Sequence, residues 1–277
     1  MNKKILLVVI GSVILLGALA LAWKAVSRGA SVKNITAADA SEKENGAILF
    51  DKAQKYLQEG ELIKARNACL KIIEKFSNFA DIQKVQETLE GLNLKILLSS
   101  IITNDSFVYE IQKGDTLTRI AKKFNTTQDL IIKANGLKDN LLQAGKRLKI
   151  TKVRFSMVVD KSQNILTLKA DKEIFKTYRV STGKNNCTPV GNYTITNKIV
   201  DPPWYPPAGG MIPASDPKNV LGSRWLGLSK PGYGIHGTTQ PELIGKSVTE
   251  GCIRLKNPDV EELYTIVPEG AVVVIVD

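Results

Sequence analysis

Read from its amino terminus, the chain first shows no alternation at all: after Lys3 and Lys4, Ile5 to Trp23 is an uncharged run of 19 residues. As a helix it would span about 28 Å, close to the thickness of a bilayer core. Residues 1–26 are therefore expected to be a transmembrane anchor. A signal-peptide apolar region is usually about 7 to 15 residues, so length favours retention, although Ala18-Leu19-Ala20 and Ala20-Leu21-Ala22 each fit a cleavage site. Residues 27–45 are polar, small and aperiodic, which predicts a linker. From Ala47 the pattern turns helical. Ala65, Ala68, Cys69, Ile72 and Phe76 recur at three- and four-residue spacing, Gly60 breaks the run, and Ile82 to Leu98 continues it. Residues 46–100 therefore predict a helical hairpin and a third helix.

A second change of period comes at residue 107. Residues 107–150 read as strand, helix, helix, strand, with Asp115 and Thr127 placed to cap the two helices. From Arg154 the apolar positions alternate in short β-branched runs (FSMVVD, NILTLKA, IFKTYRV, GNYTITNKI, AVVVIV) divided by Gly, Asn and Pro. One helix is expected among them, where Asn257 caps, Pro258 opens and the run ends near Ile266. The fold class that follows is multi-domain: an N-terminal transmembrane helix, a short α-helical segment, an α+β module at 106–151 and a mostly-β domain at 153–277.

Composition narrows the chemistry. At 43% hydrophobic and 23% charged the chain is globular, which excludes collagen-like and largely disordered classes. Cys69, Cys187 and Cys252 are too few and too scattered for a disulfide framework or a zinc ribbon. His236 is the only histidine, so motifs that need two imidazoles one helical turn apart are absent, and no metal or cofactor is expected. The net charge of +11 concentrates in residues 106–151, with nine Lys and Arg against four Asp and Glu. Without an aromatic-interleaved basic stripe, nucleic acid is not an expected partner. A carboxylate-bearing glycopeptide fits the basic balance at least as well.

Candidate chemistry sits in the last domain. Tyr233-Gly234-Ile235-His236-Gly237-Thr238 precedes Thr249-Glu250-Gly251-Cys252-Ile253-Arg254 by 16 residues from His236 to Cys252. A thiol and an imidazole are the minimal pair for nucleophilic acyl transfer, in which the base takes the thiol proton and the sulfur attacks a carbonyl. Gly251 and Gly237 beside them allow close approach of backbone to substrate. On residue types alone, a buried structural cysteine remains the competing reading.

Longer patterns carry two resemblances. Residues 107–150 resemble a LysM module over its whole length, through Tyr109, Gly114-Asp115-Thr116-Leu117, Ile120-Ala121, Phe124, Leu130, Ala134-Asn135, Leu141, Gly145 and Leu148. That resemblance implies binding to N-acetylglucosamine-containing glycan. Residues 153–277 resemble the YkuD-type L,D-transpeptidase domain through Ser181-Thr182-Gly183-Lys184, Thr188-Pro189, Gly191, Leu221-Gly222, Arg224-Trp225-Leu226-Gly227, Ile235-His236-Gly237-Thr238, Gly251-Cys252-Ile253-Arg254 and Asn257. It implies Cys252 as the acylated nucleophile, His236 as its activator and the Gly237 carbonyl as the group orienting the imidazole. Arg254 is expected to face substrate carboxylate or to form a structural salt bridge; Thr249, Gly251, Tyr233 and Thr238 are the further expected substrate contacts. More weakly, Ala53, Tyr56, Gly60 and Ala65 resemble one tetratricopeptide-type repeat, the alternative being a helical spacer.

Two adjacent positions depart from the family motif. That motif is often written S-H-G-C, whereas Thr249 and Glu250 stand here. An anion near Cys252 would raise the thiol pKa, so the Glu250 side chain is expected to point away from the sulfur. Cys187 is assigned no catalytic role, and the Pro-rich stretch from Asp201 to Gly210 reads as a pocket rim or an ordinary long connection. The expected function is peptidoglycan cross-linking through a Cys252 acyl-enzyme on stem tetrapeptides. The alternatives are an L,D-carboxypeptidase with the same acyl-enzyme, or a noncatalytic wall-binding scaffold. Expected partners are glycan strands and stem peptides, the membrane through the N-terminal helix, and a protein through the helical segment. The chain is expected to be membrane-anchored or secreted, facing periplasm or cell wall.

Overall fold

The computed structural model describes residues 32–206 and 208–277. The expected anchor at 1–26 lies outside them, and no helix among the described residues is long and apolar enough to cross a membrane. Three helices come first: α1 (Val32–Gln58), α2 (Leu62–Lys75) and α3 (Ile82–Leu97). Residues 32–45, expected as linker, belong to α1; Ala, Glu and Lys in that stretch are strong helix formers, and propensity prevails where apolar spacing is missing. Gly60, at φ +76°, makes the turn between α1 and α2, a backbone geometry that costs glycine nothing. Ala53, Ala65 and Cys69 are fully buried, so the helices meet on small side chains, and Ile72, Val85 and Leu92 complete this core. Burial pushes the Cys69 thiol up to about 11, as suits an inert core residue.

The βααβ module follows, made of β1 (Ser106–Glu110), α4 (Leu117–Lys123), α5 (Gln128–Asn135) and β2 (Arg147–Thr151), with β1 and β2 antiparallel. Thr127 caps α5 as expected, accepting from Leu130 N at 2.9 Å. Asp115 does not cap α4. Its carboxylate accepts from Gln112 N and Tyr109 OH, both at 2.8 Å, which closes the turn, and Thr116 caps the helix by accepting from Arg119 N.

The third unit is built on β3 (Phe155–Asp160), β4 (Ile165–Ala170), β5 (Glu173–Arg179), β6 (Thr182–Gly183), β7 (Gly191–Val200), β8 (Arg224–Leu228), β9 (Gly234–His236), β10 (Ser247–Thr249), β11 (Ile253–Arg254), α6 (Asn257–Ile266) and β12 (Val272–Val276). Eight of these strands form one sheet in the order β11-β9-β8-β7-β12-β3-β4-β5; β6 and β10 pair separately. The five strands expected from alternation are present. The glycine-bearing strands β8 and β9 and the two-residue β11 were not expected. They form the end of the sheet that carries His236.

Contacts join the three units. At the opposite sheet edge, α3 covers β5: Asn93 Nδ2 donates to Phe175 O at 3.1 Å, and Thr177 N donates to Glu90 at 3.1 Å. Unpaired edge groups are thereby satisfied. Lys149 on β2 is buried and donates to Ile96 O, Leu97 O and Ser99 O at 2.7, 3.2 and 2.7 Å, placing a cation where the carbonyls of α3 run out. On α5, Thr127 Oγ1 donates to Thr265 O and Lys133 Nζ to Thr265 Oγ1, while Leu130 and Ala134 enter the core of the large sheet. The helical segment is therefore packed on both of its neighbours.

Candidate active site

The site is assembled where β9 and β11 lie side by side. They are parallel, with Ile253 opposite Ile235 and Arg254 opposite His236. Continuing that register by one residue sets Cys252 opposite Gly234, and alternation places it on the sheet face that carries His236. The sulfhydryl lies 3.6 Å from Gly232 O, to which it donates. β11 is held from its other side by Ser181, whose N and O pair with Arg254 at 2.8 and 2.9 Å. Thr188, from the Thr-Pro pair, accepts from Gly183 N at 2.7 Å and donates to Gly251 O at 2.9 Å, fixing the residue before the thiol.

His236 is buried, and its Nδ1 lies 2.7 Å from Gly237 O. A carbonyl can only accept, so Nδ1 carries the proton and Nε2 presents a lone pair. Burial pulls the imidazole down to about 4, against the smaller upward pulls of the Gly237 and Leu221 carbonyls and with a further lowering by Arg254. The ring is therefore neutral at neutral pH. Burial pushes the Cys252 thiol up, partly offset by the Gly234 amide and by Arg254. The resting pair is a thiol and a neutral imidazole.

Trp225 supports the ring. It pairs with His236 across β8 and β9 and stacks on it, with centroids 5.9 Å apart and planes 19° apart. Glycines make the room: a Cβ on Gly234 would stand 2.4 Å from the indole, and one on Gly227 would stand 2.9 Å from its Nε1. Asn257 does not cap its own helix as expected. Its Oδ1 instead accepts from Thr238 N at 3.0 Å and Ser223 N at 3.2 Å, tying the segments on either side of the β8–β9 hairpin. Trp225, Gly227 and Asn257 belong to the motif series above, but spacing alone assigned them no such roles.

The expected substrate contacts divide. Thr249 is buried, donates to Cys252 O at 2.6 Å and accepts from Gly251 N at 3.2 Å. Thr238 is buried and accepts from Gln240 N at 2.9 Å. The Thr249 hydroxyl thus both donates and accepts within its own turn, whereas the Thr238 hydroxyl accepts one bond and keeps its own proton to donate. Gly251, at φ +118°, admits no side chain because Tyr233 would lie 2.7 Å from its Cβ, so Tyr233 sits directly against the turn that precedes Cys252. Arg254 makes no salt bridge among the described residues; Nη1 reaches Gln240 at 3.5 Å and buried Nε has no partner. Glu250 is exposed and paired with Lys184 at 2.7 Å, and it is not among the groups that shift the Cys252 thiol. A cavity of about 300 Å³ opens beside Cys252, walled by Pro202, Pro203, Trp204, Tyr205, Leu221 and Trp225. The Pro-rich stretch is thus its rim.

Comparison with known proteins decides the family. The YkuD L,D-transpeptidase catalytic domain matches residues 154–275, and the LysM domain matches residues 109–151. The protein named L,D-transpeptidase YkuD of Bacillus licheniformis is 37% identical over 171 residues, covering 59% of this chain and 94% of that protein. The chain belongs to the YkuD family of L,D-transpeptidases. YkuD of Bacillus subtilis is 36% identical over 60% of this chain and 97% of its own, and YqjB of the same organism is 38% identical over 44% and 70%. In this YkuD-family enzyme with a LysM domain, the imidazole of His236 and the guanidinium of Arg254 lie opposite each other on β9 and β11, and the Cys252 thiol stands one residue before β11.

Proposed function

We propose that Cys252 is the acylated nucleophile of a glycan-targeted, extracytoplasmic L,D-transpeptidase, with His236 as its base and Gly237 O as the acceptor that fixes the tautomer. The observation that carries this reading is the His236 Nδ1 to Gly237 O bond in a ring that burial keeps neutral. The Nε2 lone pair takes the Cys252 proton as the sulfur attacks the carbonyl at the L-centre of the third stem residue. Collapse of the tetrahedral adduct returns that proton to the departing amine, the terminal D-alanine, and leaves a thioester. An amine of a neighbouring stem then attacks the thioester, His236 accepts its proton, and the proton returns to the sulfur as the cross-link forms.

Arg254 supplies charge at this centre. A buried guanidinium Nε without a partner, next to His236 in the register, suits a substrate carboxylate or the developing oxyanion. Tyr233 and Gly251 shape the approach to the sulfur. The LysM domain raises the local stem concentration by tethering. The uncharged run at Ile5–Trp23 supports anchoring to the membrane with the catalytic domain facing the wall.

Intact-protein mass spectrometry after incubation with disaccharide-tetrapeptide tests the reading. The expected product is an adduct on Cys252 lacking the terminal alanine, discharged by an added amine. A wild-type protein that never gains the adduct would contradict it.

A further inference from the structure

We propose that the cleft between the LysM domain and the catalytic domain is a saccharide subsite completed by residues of both. This rests on the glycan-directed reading above and extends it by naming the surface that holds the sugar. The cleft measures about 670 Å³, within the roughly 300–1,000 Å³ of small-molecule sites. One wall comes from the α4–α5 junction, with Lys122, Asn125, Thr126 and Gln128. The other comes from β7 and the end of α6, with Lys198, Tyr264 and Glu269.

The lining selects the ligand. Lys122 and Lys198 stand against Asp129 and Glu269, so the cleft has no net charge for an anion to answer. The side-chain amides of Asn125, Gln128 and Asn140 have no hydrogen-bond partner among the described residues. Each brings one acceptor and two donor hydrogens. Thr126 is 8% exposed and its hydroxyl is likewise unpartnered. Unspent donors and acceptors in a neutral cleft match a ring bearing hydroxyls and an N-acyl group. Tyr264 is taken, with Lys198 4.3 Å and Arg224 5.4 Å from its centroid, so recognition is by hydrogen bonding rather than stacking.

Position links the cleft to the chemistry. Lys198 lines the cleft, and the next residue, Ile199, lines the cavity beside Cys252. Successive strand residues face opposite sides, so the two sites lie on the two faces of β7 near its end at Val200. The cleft and the cavity beside Cys252 are therefore neighbours across one strand, so a ligand held in the cleft is held close to the chemistry.

The test uses the full chain and an N-acetylglucosamine tetramer, titrated calorimetrically into wild type and into a Gln128→Ala, Glu269→Ala double variant. One change is taken from each wall, both at exposed positions. The expected result is a loss of affinity of at least about tenfold. In acylation assays the variant should also lose the advantage in kcat/KM that disaccharide-tetrapeptide holds over free tetrapeptide. No measurable binding by wild type, or undiminished binding by the variant, overturns the proposal. If neither peptide acylates Cys252, the catalytic reading fails, while the titration still decides the cleft.

Discussion

Asn257 Oδ1 accepts the Thr238 amide proton at 3.0 Å, tying the first turn of α6 to the segment that follows His236. The same oxygen accepts from Ser223 N at 3.2 Å. Asn257→Ala leaves two partly buried amides without an acceptor, at a cost of about 2 to 4 kcal/mol. Asn257→Asp keeps the oxygen and should lose much less. Urea denaturation checks the order. In the alanine variant acylation should slow as well, because the segment released includes the Gly237 carbonyl that orients His236.

Stability should depend on pH through the single histidine. Its imidazole titrates near 6.5 in the unfolded chain and near 4 in the fold. Between those values the unfolded chain binds the extra proton, so stability rises with pH across that window and is lost as pH falls toward 4. The size is up to about 3 kcal/mol, at roughly 1.4 kcal/mol per pH unit. His236→Gln should remove this contribution, and comparing the two proteins cancels the carboxylates that titrate nearby. Equal slopes for the two proteins would contradict the buried, neutral imidazole.

Lys149 predicts a structural effect remote from the chemistry. Its ammonium serves three carbonyls at the end of α3 from a buried position, where desolvation pulls it down to about 8. Lys149→Ala strands those carbonyls and should cost about 2 to 4 kcal/mol in a urea transition. Lys152→Ala, at an exposed position on the same connection, should be close to silent.

Glu250 should matter little. It is exposed and paired with Lys184, and exposed ion pairs contribute little. Glu250→Gln should change the acylation rate by less than about twofold, since Cys252 is governed by burial, the Gly234 amide and Arg254. A large acceleration would show that the carboxylate does hold the thiol protonated.

What was legible in the sequence depended on how local the physics is. Thr127 reads correctly as a cap because its partner is three residues away; the same reading fails for Asn257, whose partners come from a turn and a strand end distant in sequence. β3, β4, β5, β7 and β12 announce themselves by β-branched alternation. β8 and β9 hide because Gly227 and Gly234 interrupt it, and those glycines make sense only once the Trp225 indole occupies their space. Residue types and the motif series nominated Cys252 and His236. The parallel register of β9 and β11 explains why a separation of 16 positions leaves them on one face.

The most direct measurement is the single-turnover rate of Cys252 acylation against pH, followed by intact mass, in wild type, His236→Gln and Cys252→Ala. The account predicts an acid limb in wild type near pH 4 rather than near 6.5, from the lowered imidazole. It also predicts a loss of about 10²- to 10⁴-fold and of that limb in His236→Gln, and no adduct in Cys252→Ala. Turnover by Cys252→Ala, or an adduct carried by Cys187, would contradict it.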